Sequence, residues 1–299
     1  MIMIRLMGGL GNQMFQYAFG RNMTLENNAE LVLDQSLLLD KSAPHEVATH
    51  RDYSLDIFPH VKFRWAAKDE IFDFNGDPSA TFTSKLKRKL KNIANPKKLV
   101  VQDKNKIEEN YFKAGDNTCF VGRWQSYKFF EKHADIIKRE FEFEKPSVKG
   151  LNEMLEKIKS SESVCLHIRR GDLVSSPLYS DIIGALDESY YTNAIQTMSG
   201  QINPLSWFVF SDDIEWCKSH ITVPGEITFV PDALSGYRAS GHLYLMKNCR
   251  HFIISNSTFA WWAAYLSENK NKKVIYPMNW FRDKSLSNPE MSPSDWIGL

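Results

Sequence analysis

Much of what would identify a protein at a glance is missing from this chain. Its four cysteines, at 119, 165, 217 and 249, are scattered and show no metal-ligand spacing. That excludes a disulfide framework and a clustered zinc site, and leaves four reduced, mostly buried thiols in an intracellular protein. No apolar run approaches the roughly 18 residues of a membrane span, and Met1-Ile2-Met3-Ile4-Arg5 leaves no room for a signal peptide before the first strand. Charge nearly cancels, with 37 Lys and Arg against 36 Asp and Glu, so there is no nucleic-acid footprint. Two nucleotide signatures are also absent. Counting G-x-G-x-x-G from Gly9 puts Met14 at the third glycine; counting from Gly8 puts Leu10 at the second, which argues against a nicotinamide oxidoreductase. Nor does a Lys-Ser or Lys-Thr pair complete a phosphate-binding P-loop.

What is present is alternation. A chain of 299 residues suffices for two modest domains, each with its own core. Strand-like Met1 to Leu6, a Gly-rich turn, a helix from Asn12 and a strand near Glu30 to Leu33 make a βαβ opening. Residues 34–117 are irregular and aromatic-rich. The one element expected there is a short basic amphipathic helix ending before Pro96, within residues 85–98, which hold seven Lys or Arg and no acid. Its plain reading is a solvated face; its functional reading is a weak peripheral contact with anionic lipid at the inner face of a plasma membrane. Phe120-Val121-Gly122 reads as a strand end leading into a helix through Ile137. Beyond 150 the pattern is regular, with strands at 164–168, 207–210, 227–230, 252–255 and 273–276 separated by helices, as in a parallel sheet covered on both faces. The expected fold is α/β, two Rossmann-like domains, 1–150 and 151–299, facing across a cleft.

Three stretches carry chemistry. His167-Ile168-Arg169-Arg170-Gly171-Asp172 ends a buried strand, where α/β domains bind ligands, and an arginine fork suits a diphosphate. Gly8-Gly9-Leu10-Gly11-Asn12-Gln13 opens a helix whose N-terminus favours an anion, although Asn12 as a simple cap would account for one of those residues. Ser255-Asn256-Ser257-Thr258 empties an apolar strand into a run of small polar residues, a phosphate seat needing no lysine. Trp261 and Trp262 follow on opposite sides of a helix, one expected in the core and the other available to a cleft. Ser211-Asp212-Asp213 and Asp232 sit at strand ends, where capping competes with ligand binding.

Together these motifs closely resemble the bacterial α-1,2-fucosyltransferases, glycosyltransferase family 11. Gly8 to Ala18 is similar to the family's opening signature, His167 to Asp172 to its arginine motif, and Leu245 to Leu266 to its C-terminal signature. The resemblance implies a GT-B architecture, with 1–150 on the acceptor side and 151–299 holding the nucleotide-sugar donor. It also implies inverting transfer from GDP-β-L-fucose to the 2-hydroxyl of a terminal β-galactoside, on an oligosaccharide or lipid-linked glycan, in surface-glycan or O-antigen synthesis in the bacterial cytoplasm. No metal or other cofactor is implied. Arg169 would contact the diphosphate, His167 and Asp172 would support the donor or the reaction centre, Ser255 to Thr258 would seat phosphate, and Gly9, Gly11 and Asn12 would approach the donor from the N-terminal domain.

One position departs from the pattern. Where family members carry an aspartate for guanine N1 and N2, this chain has His242, and a neutral imidazole offers a single acceptor nitrogen. Either base recognition falls to Asp232 or to backbone groups beside His242, or guanine selectivity is looser. Asp172 is the one carboxylate inside a recognisable motif and so the candidate general base, against the plainer role of pairing with Arg169 or Arg170. Two alternatives stand beside the fucosyltransferase: a transferase for another nucleotide-sugar, and a carbohydrate-binding protein of the same fold without turnover.

Overall fold

The computed structural model describes residues 1–42, 50–75, 96–286 and 290–299. They form two compact units, Met1–Ala43 with His50–Glu142, and Phe143–Leu299. The division precedes the expected boundary at 150 because Phe143 packs edge-on against Tyr244, with ring centroids 5.8 Å apart, and lies under the Lys247 ammonium.

In the first unit β1 (Ile2–Arg5), β2 (Leu31–Asp34), β3 (Arg64–Trp65), β4 (Lys98–Val101) and β5 (Thr118–Val121) form one parallel sheet, ordered β3-β2-β1-β5-β4. β1 and β2 are buried at every residue, as central parallel strands require. Helix α1 (Leu10–Asn27) connects them and lies close to the sheet, because a Cβ on Gly20 would stand 2.4 Å from Ile4 Cγ1. Behind it, Phe19 stacks on Trp124 at 4.0 Å, with Phe120 and Phe129 edge-on around the pair.

Two expectations change in this unit. The irregular region holds β3, β4 and a helix, Lys68–Asn75. β3 is only two residues long, and β4 is an edge strand whose Leu99 and Val101 remain 49% and 62% exposed, so neither is buried as a central strand is. The expected basic helix, ending before Pro96, lies outside the described residues. Beyond Pro96, Lys97 pairs with Asp73 and Lys98 opens β4. The helix after β5 begins only at Ala134. Trp124 adopts φ +55° and Ser126 caps a 3-10 turn at Lys128, so the chain folds back over the aromatic core first.

The second unit carries β6 (Ser163–Ile168), β7 (Ser206–Ser211), β8 (Glu226–Phe229), β9 (His251–Ile253), β10 (Val274–Tyr276) and β11 (Ile297–Gly298). All pair in parallel, in the order β11-β10-β9-β6-β7-β8. The connecting helices used below are α2 (Gly171–Ser175), α3 (Pro177–Ile182), α4 (Glu188–Ser199), α5 (Ile214–His220), α6 (Ser240–Lys247) and α7 (Thr258–Leu266). Val164, Leu166 and Ile168 enter one core with Trp207, Tyr191 and Met198. The strand's period of two therefore sends Cys165 and His167 to the opposite face. There the Cys165 thiol, pushed up by burial, meets that of Cys249, a contact invisible in their sequence spacing. Trp261 and Trp262 are both fully buried, so neither faces a cleft.

These two parallel-sheet, Rossmann-like α/β units are the components of the expected GT-B architecture. Among the described residues no helix is long and apolar enough to cross a membrane.

Candidate functional site

In the second unit the chain runs outward from β6 through β7 and β8, then returns to the other side of β6 for β9, β10 and β11. Strand order therefore reverses between β6 and β9, and the crevice outside their carboxyl ends is where open α/β sheets bind ligands. The sequence motifs at 167–172 and 255–258 arrive at this one place. His167 Nδ1 lies 2.9 Å from Ser255 Oγ, with both side chains buried. Burial lowers the His167 pKa to about 3, with the charges of Arg169 and His242 pushing the same way. The imidazole is neutral at ordinary pH and acts as a hydrogen-bonding group rather than a cation.

Arg169 and Asp172 make a forked ion pair across one turn. Arg169 Nη2 donates to Asp172 Oδ1 at 2.9 Å and Oδ2 at 3.0 Å, and Nε reaches Oδ1 at 3.3 Å. One edge of the guanidinium is thereby held, while Nη1 makes no hydrogen bond among the described residues. Arg170 takes another direction and does not pair with its neighbour to grip one diphosphate. Its guanidinium lies 4.0 Å above the Trp216 ring and pairs with Asp213 at 3.1 Å. Its backbone N–H donates to Asp212 Oδ1 at 2.8 Å. A Cβ on Gly171 would come within 2.6 Å of Asp212 Oδ2, so glycine is required for this approach. Asp213 also accepts from Trp216 N as the N-cap of α5. The acidic pair after β7 thus shapes the arginine turn, a role that only the β6–β7 neighbourhood reveals.

The 255–258 run divides by role. Ser255 holds His167. Asn256 is buried and donates through Nδ2 to the carbonyls of Gly184 at 2.8 Å and Trp280 at 3.3 Å, tying two loops together. Ser257 stands at the N-cap position of α7 without capping it through its side chain, and Thr258 opens the helix at the end whose dipole favours an anion.

His242 lies in the first turn of α6, part-buried and edge-on to Phe210, and its Nε2–H donates to the Pro231 carbonyl at 3.1 Å. That bond leaves Nδ1 as its acceptor, and burial lowers its pKa. Gly241 precedes it because a Cβ there would meet the Leu234 carbonyl at 2.1 Å. Asp232 is exposed on the one-turn 3-10 helix after β8, next to the carbonyl that His242 engages.

The first unit has its own reversal point, between β1 and β5. Gly8 turns the chain at φ +76°, with no room for a Cβ against Asn12 Nδ2, and Gly9 begins α1 without a side-chain cap. Gly11 is buried in the first turn. Asn12 Oδ1 accepts from Gln125 Nε2 at 2.8 Å. Gln13 and Gln16, both fully buried, are the pins of this turn. Gln13 joins the Gly8 and Asp52 carbonyls and Ser54 N, and Gln16 bridges Met7 N and the Gly122 carbonyl. The glutamines of the motif are therefore scaffold, and Gln125 is a partner that no local pattern marks.

Similarity to known proteins agrees with this geometry. A family model described as Glycosyl transferase family 11 matches residues 1–299. The chain is 30% identical over 311 residues to the alpha-1,2-colitosyltransferase of Escherichia coli, covering 100% of this chain and 98% of that one. It is 28% identical over 320 residues to the Escherichia coli O-antigen biosynthesis glycosyltransferase WbnK, covering 98% and 99%. To the galactoside 2-alpha-L-fucosyltransferase Sec1 of Mus musculus it is 27% identical over 209 residues, covering 64% of this chain and 55% of that protein. With its arginine turn and its serine-threonine turn meeting at one strand reversal, and with that match running from end to end, the chain belongs to glycosyl transferase family 11 and is a glycosyltransferase.

Proposed function

We propose that the chain is a galactoside α-1,2-fucosyltransferase, moving L-fucose from GDP-β-L-fucose to the 2-hydroxyl of a terminal β-galactoside during bacterial surface-glycan or O-antigen synthesis in the cytoplasm. The observation that carries this reading is the Arg169–Asp172 fork, set beside the start of α7 at the β6–β9 reversal. Transfer with inversion breaks the bond between the fucose anomeric carbon and the β-phosphate oxygen while galactose O2 bonds to the opposite face and releases its proton to water. Negative charge grows on the departing diphosphate. The open edge of Arg169 and the N–H groups of α7 supply fixed, preoriented donors for it, and no divalent ion is required.

Asp172 acts by orienting Arg169, since both of its oxygens face that guanidinium. His167, neutral, sets the Ser255 hydroxyl. The family motif alone assigns Gly9, Gly11 and Asn12 to donor contact. His242 Nδ1 and the Asp232 carboxylate are the groups available to a base at the β7–β8 end.

The E. coli colitosyltransferase among the relatives favours a second reading, in which the sugar moved is colitose. Incubation with GDP-fucose or GDP-colitose, each with β-galactosides, followed by linkage analysis, separates them. An α-1,2-fucosyl product is expected. Transfer from GDP-colitose alone would reassign the donor, and transfer from neither would refute both.

A further inference from the structure

Beside the arginine turn, and within the second unit alone, lie two adjoining cavities of about 350 and 310 Å³. They share Ala185, Leu186, Asp187 and Arg282. Arg170 and Trp216 wall the first. Gly184, whose carbonyl holds Asn256, walls the second. The pair is thus attached to both halves of the donor motif, but the mechanism above uses neither cavity.

The charged side chains that line them, Arg282, Asp187 and Glu188, are solvent-exposed and so accessible to a ligand. The Arg282 guanidinium has no hydrogen bond or ion pair among the described residues. It is held in place by its backbone N–H on the Ile183 carbonyl at 3.2 Å and by Gly184, where a Cβ would stand 2.9 Å from its Nε. Asp187 occupies the N-cap position of α4, yet its carboxylate does not cap the helix. Among the described residues the Glu188 carboxylate has one distant partner, His220 at 3.8 Å. Leu173 and Leu186 add an apolar wall.

The balance of charge decides what fits. Arg170 is already offset by Asp213, which leaves Arg282 facing two carboxylates. A phosphate or carboxylate ligand would be repelled. A neutral ligand whose hydroxyls both donate and accept would satisfy Arg282, Asp187 and Glu188 together, while its C–H face lay on the leucines. That is the chemistry of a sugar, and each cavity falls within the small-molecule range of about 300–1,000 Å³.

We propose that these cavities are an acceptor subsite, binding sugar units that lie beyond the terminal galactose of the glycan, with Arg282 and Asp187 as specificity-determining residues. The proposal rests on the transferase reading above. Its test compares lacto-N-tetraose with methyl β-D-galactoside in the wild type, Arg282→Ala and Asp187→Asn. Loss of a charge-assisted hydrogen bond should raise KM for the tetrasaccharide about tenfold or more, with the KM values for methyl galactoside and GDP-fucose held within about twofold. Equal changes for both acceptors, or none, would overturn it. Saturation-transfer NMR of the tetrasaccharide with GDP present needs no turnover and keeps the two readings apart. Saturation of its reducing-end sugars in the wild type, lost in Arg282→Ala, supports the subsite even if no galactoside is fucosylated. Its absence in the wild type refutes the subsite whatever the turnover.

Discussion

His167 Nδ1 and Ser255 Oγ stand 2.9 Å apart although 88 residues separate them in the chain. The contact follows from the parallel pairing of β6 with β9, in which Leu166 lies opposite Ile253, so the two strands deliver the residues just beyond that pair to the same level. Two motifs that read as separate in the sequence thereby become one site, and the consequences can be measured.

Arg169→Lys keeps the charge and loses the fork. If the guanidinium is oriented by Asp172 on one edge and binds diphosphate on the other, kcat/KM should fall at least about a hundredfold with the melting temperature nearly unchanged. Asp172→Asn, which leaves the charge of Arg169 but loosens its grip, should give a smaller loss of about tenfold. Near-normal turnover in Arg169→Lys would remove Arg169 from the donor site.

The neutral state of His167 predicts a pH dependence of stability. Its pKa in the folded protein is about 3, against an ordinary value of 6.5. Between those values the unfolded chain takes up a proton that the folded chain refuses. Stability contributed by this group is complete above about pH 6.5 and is lost progressively as pH falls toward 3. By pH 5 the loss is on the order of 2 kcal/mol. Urea midpoints for the wild type and His167→Gln should converge as pH drops from 7 to 5; parallel curves would show that His167 titrates normally.

Catalysis should survive excess EDTA without loss of rate, because the charge on the leaving diphosphate is met by arginine and helix-start N–H groups. Among the described residues no group of three His, Cys, Asp or Glu side chains gathers to hold an ion. Inactivation by the chelator, reversed by Mg²⁺ or Mn²⁺, would establish a metal requirement.

His242→Asp tests recognition of the base. An aspartate can accept two guanine N–H bonds where the Nδ1 of His242 accepts one, so GDP affinity should rise about tenfold in calorimetry, with a wider gap over ADP. The same change removes the donor to the Pro231 carbonyl and should lower stability by about 1 kcal/mol. Unchanged or weaker GDP binding, with that stability loss, would place His242 outside the base pocket.

Local pattern sufficed for the central strands. Buried on both faces, β1, β2, β6, β7 and β9 are continuous apolar runs, and no other arrangement of such runs satisfies their backbone polar groups as well as a parallel sheet does. The edge strands β3, β4 and β11 bury too little to leave that signature, being either two residues long or half exposed. The αL turn at Trp124 escaped notice because its cause is an aromatic cluster assembled from four separate segments.

The α/β class, the strand-end position of the motifs and the family likeness were thus determined by the sequence alone, because each depends on residues near one another in the chain. The assignment of each polar side chain was left to the tertiary structure. Arg169 and Arg170 are adjacent and chemically identical, yet one meets Asp172 and keeps an open edge while the other is taken by Asp213 and Trp216. Gln13 and Gln16 became scaffold, Asn256 a loop tie and His167 a neutral partner of serine for the same reason. A polar group's role is set by the partner it finds and by the water it loses, and parallel crossovers bring those partners from tens of residues away.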